Sequence, residues 1–197
     1  MSLLDALDAR LASTPPDHTP TRGDFGPTGM EGLAPAAVLI PIIARADPTI
    51  LFTRRSEGLP RHPGQVSFPG GRAHASDASL VMTALREMEE EVGIGPDFVR
   101  VAGFLDVYET GTGYAILPVV GIVREGFALT ACADEVAEIF EVPLAFLLDP
   151  ANRKLETGIW RGRERSYYAF RFETHYIWGA TASMLVDLAD RLHDAPR

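Results

Sequence analysis

The sequence of 197 residues has little cysteine and no long hydrophobic run, and each shortage excludes a class of protein. Its single cysteine, Cys132, cannot form an internal disulfide or build a cysteine-rich zinc site. The longest apolar stretches, residues 36–44 and 114–123, are shorter than the roughly 20 residues that a membrane-spanning helix needs. The N-terminal sequence MSLLDALDAR lacks the basic start and the long apolar stretch of a secretory signal. We therefore expect a cytoplasmic protein that does not enter a membrane.

Positive charge is also scarce. Lys and Arg number 18 against 27 Asp and Glu, and the net charge of −9 argues against a protein that coats nucleic acid. Locally bound cations can still allow an acidic protein to bind an anionic small molecule. The length and the 46% hydrophobic content suit one domain with a proper core. We expect a single domain over residues 1–197, with an N-terminal helix and irregular connection in 1–33 and the core in 34–192.

The spacing of apolar residues predicts the elements of this domain. Leucines at positions 3, 4, 7 and 11 predict a short amphipathic helix, and the proline- and glycine-rich residues 13–32 predict an irregular connection. Residues 36–44 and 49–54 predict a hairpin. The other predictions are strands over 65–68, 99–108, 114–123 and 166–173, a helical turn over 134–140, and a closing helix over 182–192. Strands around one central helix, with another long helix at the end, predict an α/β sandwich with a mixed sheet.

The central helix is part of residues 70–94, which read as a glycine turn at 70–71, a polar connection and a helix. Ser76 and Asp77 are good N-cap types, so the helix is expected to begin near residue 77 or 78 and to end at Gly93. At about 100° per residue, three carboxylates share one side of it: Glu87, Glu90 and Glu91. An adjacent apolar stripe can dock on a core: Val81, Leu85, Met88 and Val92.

This acidic face has two interpretations. Most runs of charge are solvated helix surfaces, and Glu89, which points away, is of that kind. However, like charges at i,i+3 and i,i+4 cost roughly 0.2–0.5 kcal/mol each, and only Arg86 is placed to offset them. A hard divalent cation would turn the repulsion into binding, because Mg²⁺ favours carboxylate and phosphate oxygens.

The residues just before the helix form a local positive segment. Arginines stand at positions 54, 55, 61 and 72, with His62 and His74 nearby and Glu57 as the opposing acid. Planar guanidinium groups suit phosphate oxygens. Any one of these arginines can equally pair with a surface acid, and His62 can be a packed loop histidine, but the group as a whole favours a phosphate-binding segment.

The helix resembles the box motif of the Nudix hydrolases, G-x5-E-x7-R-E-U-x-E-E-x-G-U, where U is aliphatic. Residues 86–94, REMEEEVGI, match the second half at every defined position. The first half departs from the pattern. Asp77 stands six residues after Gly71 where the family usually has Glu, and Arg86 follows one residue later than the pattern expects.

The preceding segment is similar to the additional signature of one Nudix branch, the coenzyme A pyrophosphatases. That signature runs L-L-T-x-R-S, then R and a small spacer, then G-x-x-x-F-P-G-G, and Phe52 replaces its second leucine here. The matching residues are Leu51, Thr53, Arg55, Ser56, Arg61, Gly64, Phe68, Pro69, Gly70 and Gly71. Shorter similarities continue to residue 182, so the resemblance covers most of the chain after residue 34.

The resemblance implies an α/β/α sandwich over roughly residues 34–192. It also implies hydrolysis of coenzyme A or a derivative to adenosine 3′,5′-bisphosphate and 4′-phosphopantetheine. The implied ligands of Mg²⁺ or Mn²⁺ are Glu87, Glu90, Glu91 and the Gly71 carbonyl, and Arg86 is expected to orient the carboxylates. The expected substrate contacts are Arg54, Arg55, Arg61, His62 and Gly70. The residue that deprotonates water stays open among the box glutamates and Glu109, Glu135 and Glu138.

Two rival functions remain at this level. One is a Nudix enzyme for a nucleoside diphosphate sugar, a dinucleotide or a nucleoside triphosphate. The other is a non-catalytic module that binds a nucleotide ligand, although such a module should have lost acids from the metal face. In each case the expected partner is a small molecule, without nucleic acid or membrane, and the chain is expected to be a monomer or a homodimer.

Overall fold

A computed structural model of the protein describes residues 3–28, 31–160 and 162–193, so the predicted domain limits, 1 and 197, lie outside the described residues. The helices are α1 (Leu3–Arg10), α2 (Leu80–Val92), α3 (Leu144–Leu148) and α4 (Ala180–His193). The first strands are β1 (Arg22–Gly23), β2 (Ala34–Ile43), β3 (Thr49–Arg55), β4 (Val66–Ser67), β5 (Gly70–Arg72) and β6 (Val99–Phe104). They are followed by β7 (Tyr108–Glu109), β8 (Tyr114–Val123), β9 (Val136–Pro143), β10 (Lys154–Trp160), β11 (Arg163–Phe172) and β12 (His175–Trp178).

Strands β1 to β9 form one mixed sheet, and β10 to β12 form a smaller antiparallel sheet. Strand β2 pairs with β8 in parallel along its whole length and with β3 at only two positions. Because β2 and β3 separate beyond this hairpin, β4 pairs with the end of β3 and β5 pairs with β2. Gly70 and Gly71 therefore lie in a strand, and the prediction of a glycine turn was wrong.

The large sheet has helices on both faces, which confirms the predicted mixed α/β fold. On one face, Met88 and Val92 of α2 pack against Leu39 of β2. On the other face, α1, α4 and the small sheet share a core with β3 and β9. Nonpolar residues fill both layers because each helix presents one apolar side to the sheet.

Several elements differ from their prediction. Residues 134–140 do not form a helical turn; residues 136–143 are strand β9, which pairs along β3 and sets Phe140 opposite Phe52. That cross-strand pairing is a long-range effect that local sequence does not reveal. The predicted strand over 99–108 is divided into β6 and β7, and α3, β10 and β12 had no predicted counterpart.

The N-terminal connection is less irregular than predicted. Strand β1 pairs in parallel with β7, so this segment extends the large sheet. Part of the predicted connection, residues 29–30, lies outside the described residues. In the described part of the chain, no helix has the length and apolar character needed to span a membrane.

Candidate active site

Helix α2 carries the acidic face, and its own sequence sets both of its ends. It begins at Leu80, later than predicted, because Ser79 is the N-cap and its hydroxyl accepts a hydrogen bond from the Met82 amide at 3.3 Å. It ends as predicted before Gly93, whose φ of 80° lies in the left-handed region. Its fully buried apolar residues are Ala84, Met88 and Val92. The carboxylate side of the helix consequently faces β5 and the end of β3.

Glu91 is the innermost carboxylate and is only 4% exposed. One oxygen accepts a hydrogen bond from the Thr53 hydroxyl at 3.4 Å, and the other accepts one from the Gly70 amide at 3.5 Å. Burial raises the pKa of Glu91 to about 8; the Gly70 amide opposes this shift and the charge of Glu87 adds to it. A buried acid with a strongly raised pKa is typical of functional sites.

Glu87 lies one turn earlier on α2, against strand β5. Its side chain is 13% exposed, and burial raises its pKa. A Cβ atom at Gly71 would lie 2.4 Å from Oε1 of Glu87 and 2.6 Å from its Cδ. The absence of a side chain at Gly71 is thus what allows the Glu87 carboxylate to lie against the strand. Glu90 is the outermost of the three, with a side chain 57% exposed.

Arg86 connects these carboxylates to the loop before the helix. Its Nη1 donates to Glu87 at 2.9 Å and to Glu90 at 2.8 Å. Its Nε and Nη2 donate to the two oxygens of Asp77 at 3.0 and 3.1 Å, and Nη2 also donates to the Arg72 carbonyl at 3.3 Å. These bonds hold the pKa of Asp77 well below its usual range and that of Arg86 above it.

Asp77 is therefore not the N-cap of the helix. Its carboxylate accepts hydrogen bonds from the His74 amide at 2.9 Å and the Thr83 hydroxyl at 2.8 Å, besides those from Arg86. At this position, where the sequence departs from the Nudix box, Asp77 thus anchors Arg86. Its side chain is one carbon shorter than that of the glutamate usual in the family.

The structure separates two of the predicted substrate residues. Arg55 lies on the α2 side, where its charge lowers the pKa of Glu91, and its Nε is buried without a hydrogen-bond partner among the described residues. Arg54 lies on the opposite face, as successive strand residues do. There its Nε donates to Glu138 at 2.9 Å. Arg54 is thus not grouped with the carboxylates of α2.

The other predicted contacts lie on the loop between β3 and β4 and on β5. Arg61 is exposed and donates to the hydroxyl of Tyr114 at 3.0 Å. His62 is exposed and has a positive φ of 55°, which is uncommon for a residue with a side chain. Gly70 donates its amide to Glu91, and a Cβ there would lie 2.5 Å from the Ala37 carbonyl oxygen.

The three acids outside the box have different surroundings. Glu109 is buried and accepts hydrogen bonds from the amide and hydroxyl of Thr28. Glu138 is held by Arg54 and by His175, whose Nε2 lies 3.0 Å from it. The third acid, Glu135, is exposed.

Glu135 lies on a segment fixed beside the acidic helix. The Thr130 amide donates to the Val92 carbonyl at 2.9 Å, and the Cys132 amide donates to the Glu91 carbonyl at 3.0 Å. Burial is the main cause of the raised pKa values of Glu87 and Glu91, but the charge of Glu135 contributes to both shifts. Among the three candidates, Glu135 is thus the one whose charge acts on the carboxylate face.

Comparison with known families decides the identity of this fold. The NUDIX domain profile matches residues 33–157, well over half of the chain. The chain belongs to the Nudix family. It is 43% identical over 157 residues to NudL of Photorhabdus laumondii subsp. laumondii, described as an uncharacterized Nudix hydrolase, covering 80% of this chain and 84% of the relative. NudL of Pectobacterium atrosepticum, described in the same words, is 43% identical over 164 residues, covering 82% and 84%.

A solved structure shows the same fold. The MutT/nudix family protein from Enterococcus faecalis superposes with a TM-score of 0.51 at 16% identity, covering 83% of this chain and 63% of that chain. At that identity the likeness shows the fold alone. Nudix hydrolases in general use divalent metals such as Mg²⁺ or Mn²⁺ and bind small-molecule nucleotide substrates.

The residues of this Nudix site fit such a cation in kind. The carboxylates of α2 are the hard oxygen donors that Mg²⁺ and Mn²⁺ prefer, and the Glu87 carboxylate lies directly against the bare backbone at Gly71. Among the described residues, however, no three His, Cys, Asp or Glu side chains are grouped closely enough to hold a metal ion. Nη1 of Arg86 donates to both Glu87 and Glu90, so the arginine bridges two of the α2 carboxylates.

Sequence reasoning missed two residues of this Nudix site. The motif gives Thr53 no role in the site, yet its hydroxyl contacts Glu91. The alternation of strand β3 is a signal that could have placed Thr53 and Arg54 on opposite faces. Tyr114, the partner of Arg61, had no signal in the sequence because 53 residues separate the pair.

Proposed function

We propose that this Nudix hydrolase cleaves the diphosphate bond of coenzyme A or a derivative, yielding adenosine 3′,5′-bisphosphate and 4′-phosphopantetheine. The observation that carries the proposal is the meeting of two motifs. Strands β3 and β5 bring Thr53 and Gly70, from the segment that resembles the coenzyme A branch, into contact with Glu91 of the box helix. These contacts support a single site that combines the substrate signature with the acidic face.

In this proposal, Glu87, Glu90, Glu91 and the Gly71 carbonyl hold Mg²⁺ or Mn²⁺. When bound, the cation supplies charge neutralisation for the diphosphate oxygens. Arg86 positions the carboxylates and does not touch the substrate, because Asp77 holds one edge of its guanidinium in a two-bond contact.

The substrate diphosphate is assigned to Arg55, Arg61, His62 and the Gly70 region. Arg55 is the strongest of these assignments, since it lies on the carboxylate face and its buried Nε lacks a partner among the described residues. A planar donor without an acceptor suits a phosphate oxygen. Arg54 is left out of this group because Glu138 occupies it on the opposite face.

The water-activating role is assigned to Glu135. Its side chain is exposed to solvent, while the segment that carries it is hydrogen-bonded to the end of α2 and to Ser56. Glu109 and Glu138 are already occupied by hydrogen bonds within the protein. A base needs an accessible oxygen near the attacking water, and Glu135 meets that requirement best.

The experiment is mass spectrometry of the products formed from coenzyme A in ¹⁸O-labelled water with Mg²⁺ or Mn²⁺. Cleavage of the diphosphate, at a rate well above that for nucleoside diphosphate sugars, dinucleotides and nucleoside triphosphates, supports the proposal. Better cleavage of another member of this panel overturns the choice of substrate. Saturable binding without any product supports a non-catalytic module instead.

Glutamine variants test the assigned residues. Glu90→Gln and Glu91→Gln are each expected to lower turnover by about 10²-fold or more, with little loss of folding. Glu89→Gln is the matched control, because Glu89 lies on the same helix, is exposed and points away from the face. Near-normal metal-dependent turnover in both test variants contradicts the assignment.

A further inference from the structure

Thr53 places a hydroxyl inside a layer that is otherwise largely apolar. It is fully buried on the α2 side of β3, and Leu51, the residue before it on that side of the strand, belongs to the core beneath α2. In the sheet it lies between Ser67 of β4 and Ile139 of β9. Because burying a hydroxyl costs free energy unless the hydroxyl is hydrogen-bonded, its contacts explain why threonine and not valine suits this position.

The Thr53 hydroxyl has one proton and two neighbouring acceptors. Its Oγ1 lies 3.4 Å from one Glu91 oxygen and 3.5 Å from the Ser67 carbonyl oxygen. An ionised carboxylate is the stronger acceptor, and carboxylates bind metal ions in the ionised form. With its proton directed at Glu91, the Thr53 oxygen can accept a hydrogen bond from the Ser67 hydroxyl, which is also 3.4 Å away. Both hydroxyls then have partners while Thr53 donates to Glu91.

The Glu91 carboxylate is held from two strands that belong to different parts of the split sheet. Thr53 of β3 contacts one of its oxygens, and the Gly70 amide of β5 donates to the other at 3.5 Å. Strand β5 pairs with β2, which has separated from β3 at this point. Two donors on separate strands fix the plane of the carboxylate. Since a carboxylate oxygen has about two lone-pair positions, each oxygen keeps one for a cation.

We propose that Thr53 is a positioning residue, which holds the Glu91 carboxylate in the orientation that binds the cation and does not touch the substrate. This assignment rests on the proposed function, which makes Glu91 a ligand of the cation. Thr53 belongs to the segment that resembles the coenzyme A signature, yet a fully buried side chain has no surface with which to contact a dissolved substrate. The signature thus contributes to the metal site as well as to substrate binding.

The test is titration of the full-length protein with Mn²⁺, followed by the electron paramagnetic resonance signal of the free ion. Thr53→Val keeps the shape of the side chain but removes the donor, and it is expected to weaken Mn²⁺ binding by about tenfold or more, as loss of a hydrogen bond to a metal ligand typically does. Thr53→Ser retains the hydroxyl and should restore most of the affinity. Thr53→Ala repeats the measurement if thermal unfolding shows that Thr53→Val is not folded.

The matched control is Thr181→Val. Thr181 is also buried, but its hydroxyl donates to the Val66 carbonyl at 3.3 Å and contacts no carboxylate of α2. This variant therefore also loses a buried hydrogen bond, yet it should bind Mn²⁺ as the wild type does.

Turnover provides a second measurement, made at saturating Mn²⁺ with whichever diphosphate substrate the wild type cleaves best. Thr53→Val should lower kcat by about tenfold and leave KM nearly unchanged, because the residue does not contact the substrate. Thr53→Ser should again recover most of the loss. A purely structural role of the threonine would not distinguish serine from valine in this way.

Four results overturn the proposal. They are wild-type Mn²⁺ affinity and kcat in Thr53→Val, equal losses in Thr53→Ser and Thr53→Val, an equal loss in Thr181→Val, and a raised KM with unchanged kcat in Thr53→Val. Failure of the proposed function is seen separately. If coenzyme A is not the best substrate, the inference about Thr53 still holds or fails by these measurements; if the wild type binds no Mn²⁺, both are overturned.

Discussion

At the scale of single residues, the two neighbouring glycines of β5 have different tasks. A Cβ at Gly70 would meet backbone atoms of β2, including the Val38 Cα at 2.7 Å, and backbone cannot move away easily. The three atoms nearest to a Cβ at Gly71 would all belong to the carboxylate end of Glu87, which is flexible. Substitution at Gly71 should therefore displace a functional group without breaking the fold.

The first prediction is that Gly71→Ala lowers turnover by about 10²-fold, since a misplacement of about 1 Å at an active site can cost that much. The midpoint of thermal unfolding should change little. The control is Gly58→Ala, because a Cβ at Gly58 would have no atom within 4 Å and the residue has no positive φ. Steady-state kinetics and a thermal melt of both variants decide; a normal rate for Gly71→Ala would show that the Glu87 position is unimportant.

Asp77 gives a pH prediction at the same scale. Its pKa is lowered in the folded protein, mainly by the hydrogen bonds from Arg86, so its carboxylate adds stability at pH values above its unfolded pKa of about 3.9. That contribution is lost as the pH falls towards the folded pKa. The stability difference between the wild type and Asp77→Asn should accordingly be full at pH 5 to 7 and should shrink below about pH 4.

Urea unfolding at a series of pH values measures this difference. Asp47→Asn, an exposed aspartate in the turn between β2 and β3, should show no comparable dependence. Turnover of Asp77→Asn should also fall, by roughly tenfold, because Arg86 loses its two-bond anchor. A stability difference that grows in acid would contradict the assigned role of Asp77.

At the scale of elements, α2 was predictable in its type and its C-terminal end but not in its start. Gly93 ends the helix through its own backbone freedom, which is a local property. Asp77 is as good an N-cap type as Ser79, but its carboxylate is engaged by Arg86, nine residues later. The choice between the two caps is thus made by a contact that local sequence rules do not contain.

The strands show the same division. The apolar run of strand β3 predicts it correctly. The helical turn predicted over residues 134–140 is wrong, because β9 forms through its pairing with β3, which joins residues about 90 positions apart. In the candidate site, the acidic face follows from helical spacing and the separation of Arg54 from Arg55 follows from strand alternation. Which element each arginine faces, however, depends on long-range pairing. Periodicity within an element could be predicted, and partners between elements could not.

The observed helix start leads to a third prediction. Ser79→Ala should lower the free energy of unfolding by about 0.5–2 kcal/mol, because the Met82 amide loses its acceptor. Ser76→Ala is the matched control, since residue 76 is exposed and lies before the observed cap. Urea titration of both proteins measures the effect. A larger loss for Ser76→Ala would support the earlier helix start that the sequence had indicated.

At the scale of the whole molecule, the N-terminal residues are part of the domain core. Leu7 of α1 is fully buried in the layer between the large sheet and α4, and a Cβ at Gly103 of β6 would lie 2.4 Å from the Leu11 side chain. Farther along, Arg22 pairs with the buried Asp187 of α4 at 2.9 Å. The segment before β2 therefore closes one side of the molecule.

The fourth prediction follows from this packing. Leu7→Ala should lower the free energy of unfolding by about 2–5 kcal/mol, the usual cost of truncating a buried leucine. The control is Leu129→Ala, which truncates a leucine exposed on the surface and should change the free energy of unfolding by about 0.5 kcal/mol or less. Removal of residues 1–33 should lower the free energy of unfolding more than Leu7→Ala does. It also removes Arg22, one of the two arginines that pair with Asp187, so that Arg191 remains as the other. Chemical unfolding of the three proteins beside the wild type provides the measurement. If the shortened chain unfolds at the same denaturant concentration as the full chain, the stable domain begins at β2 and the N-terminal segment does not contribute to its stability. A marked loss of stability instead places the N-terminal segment within the Nudix domain of this protein.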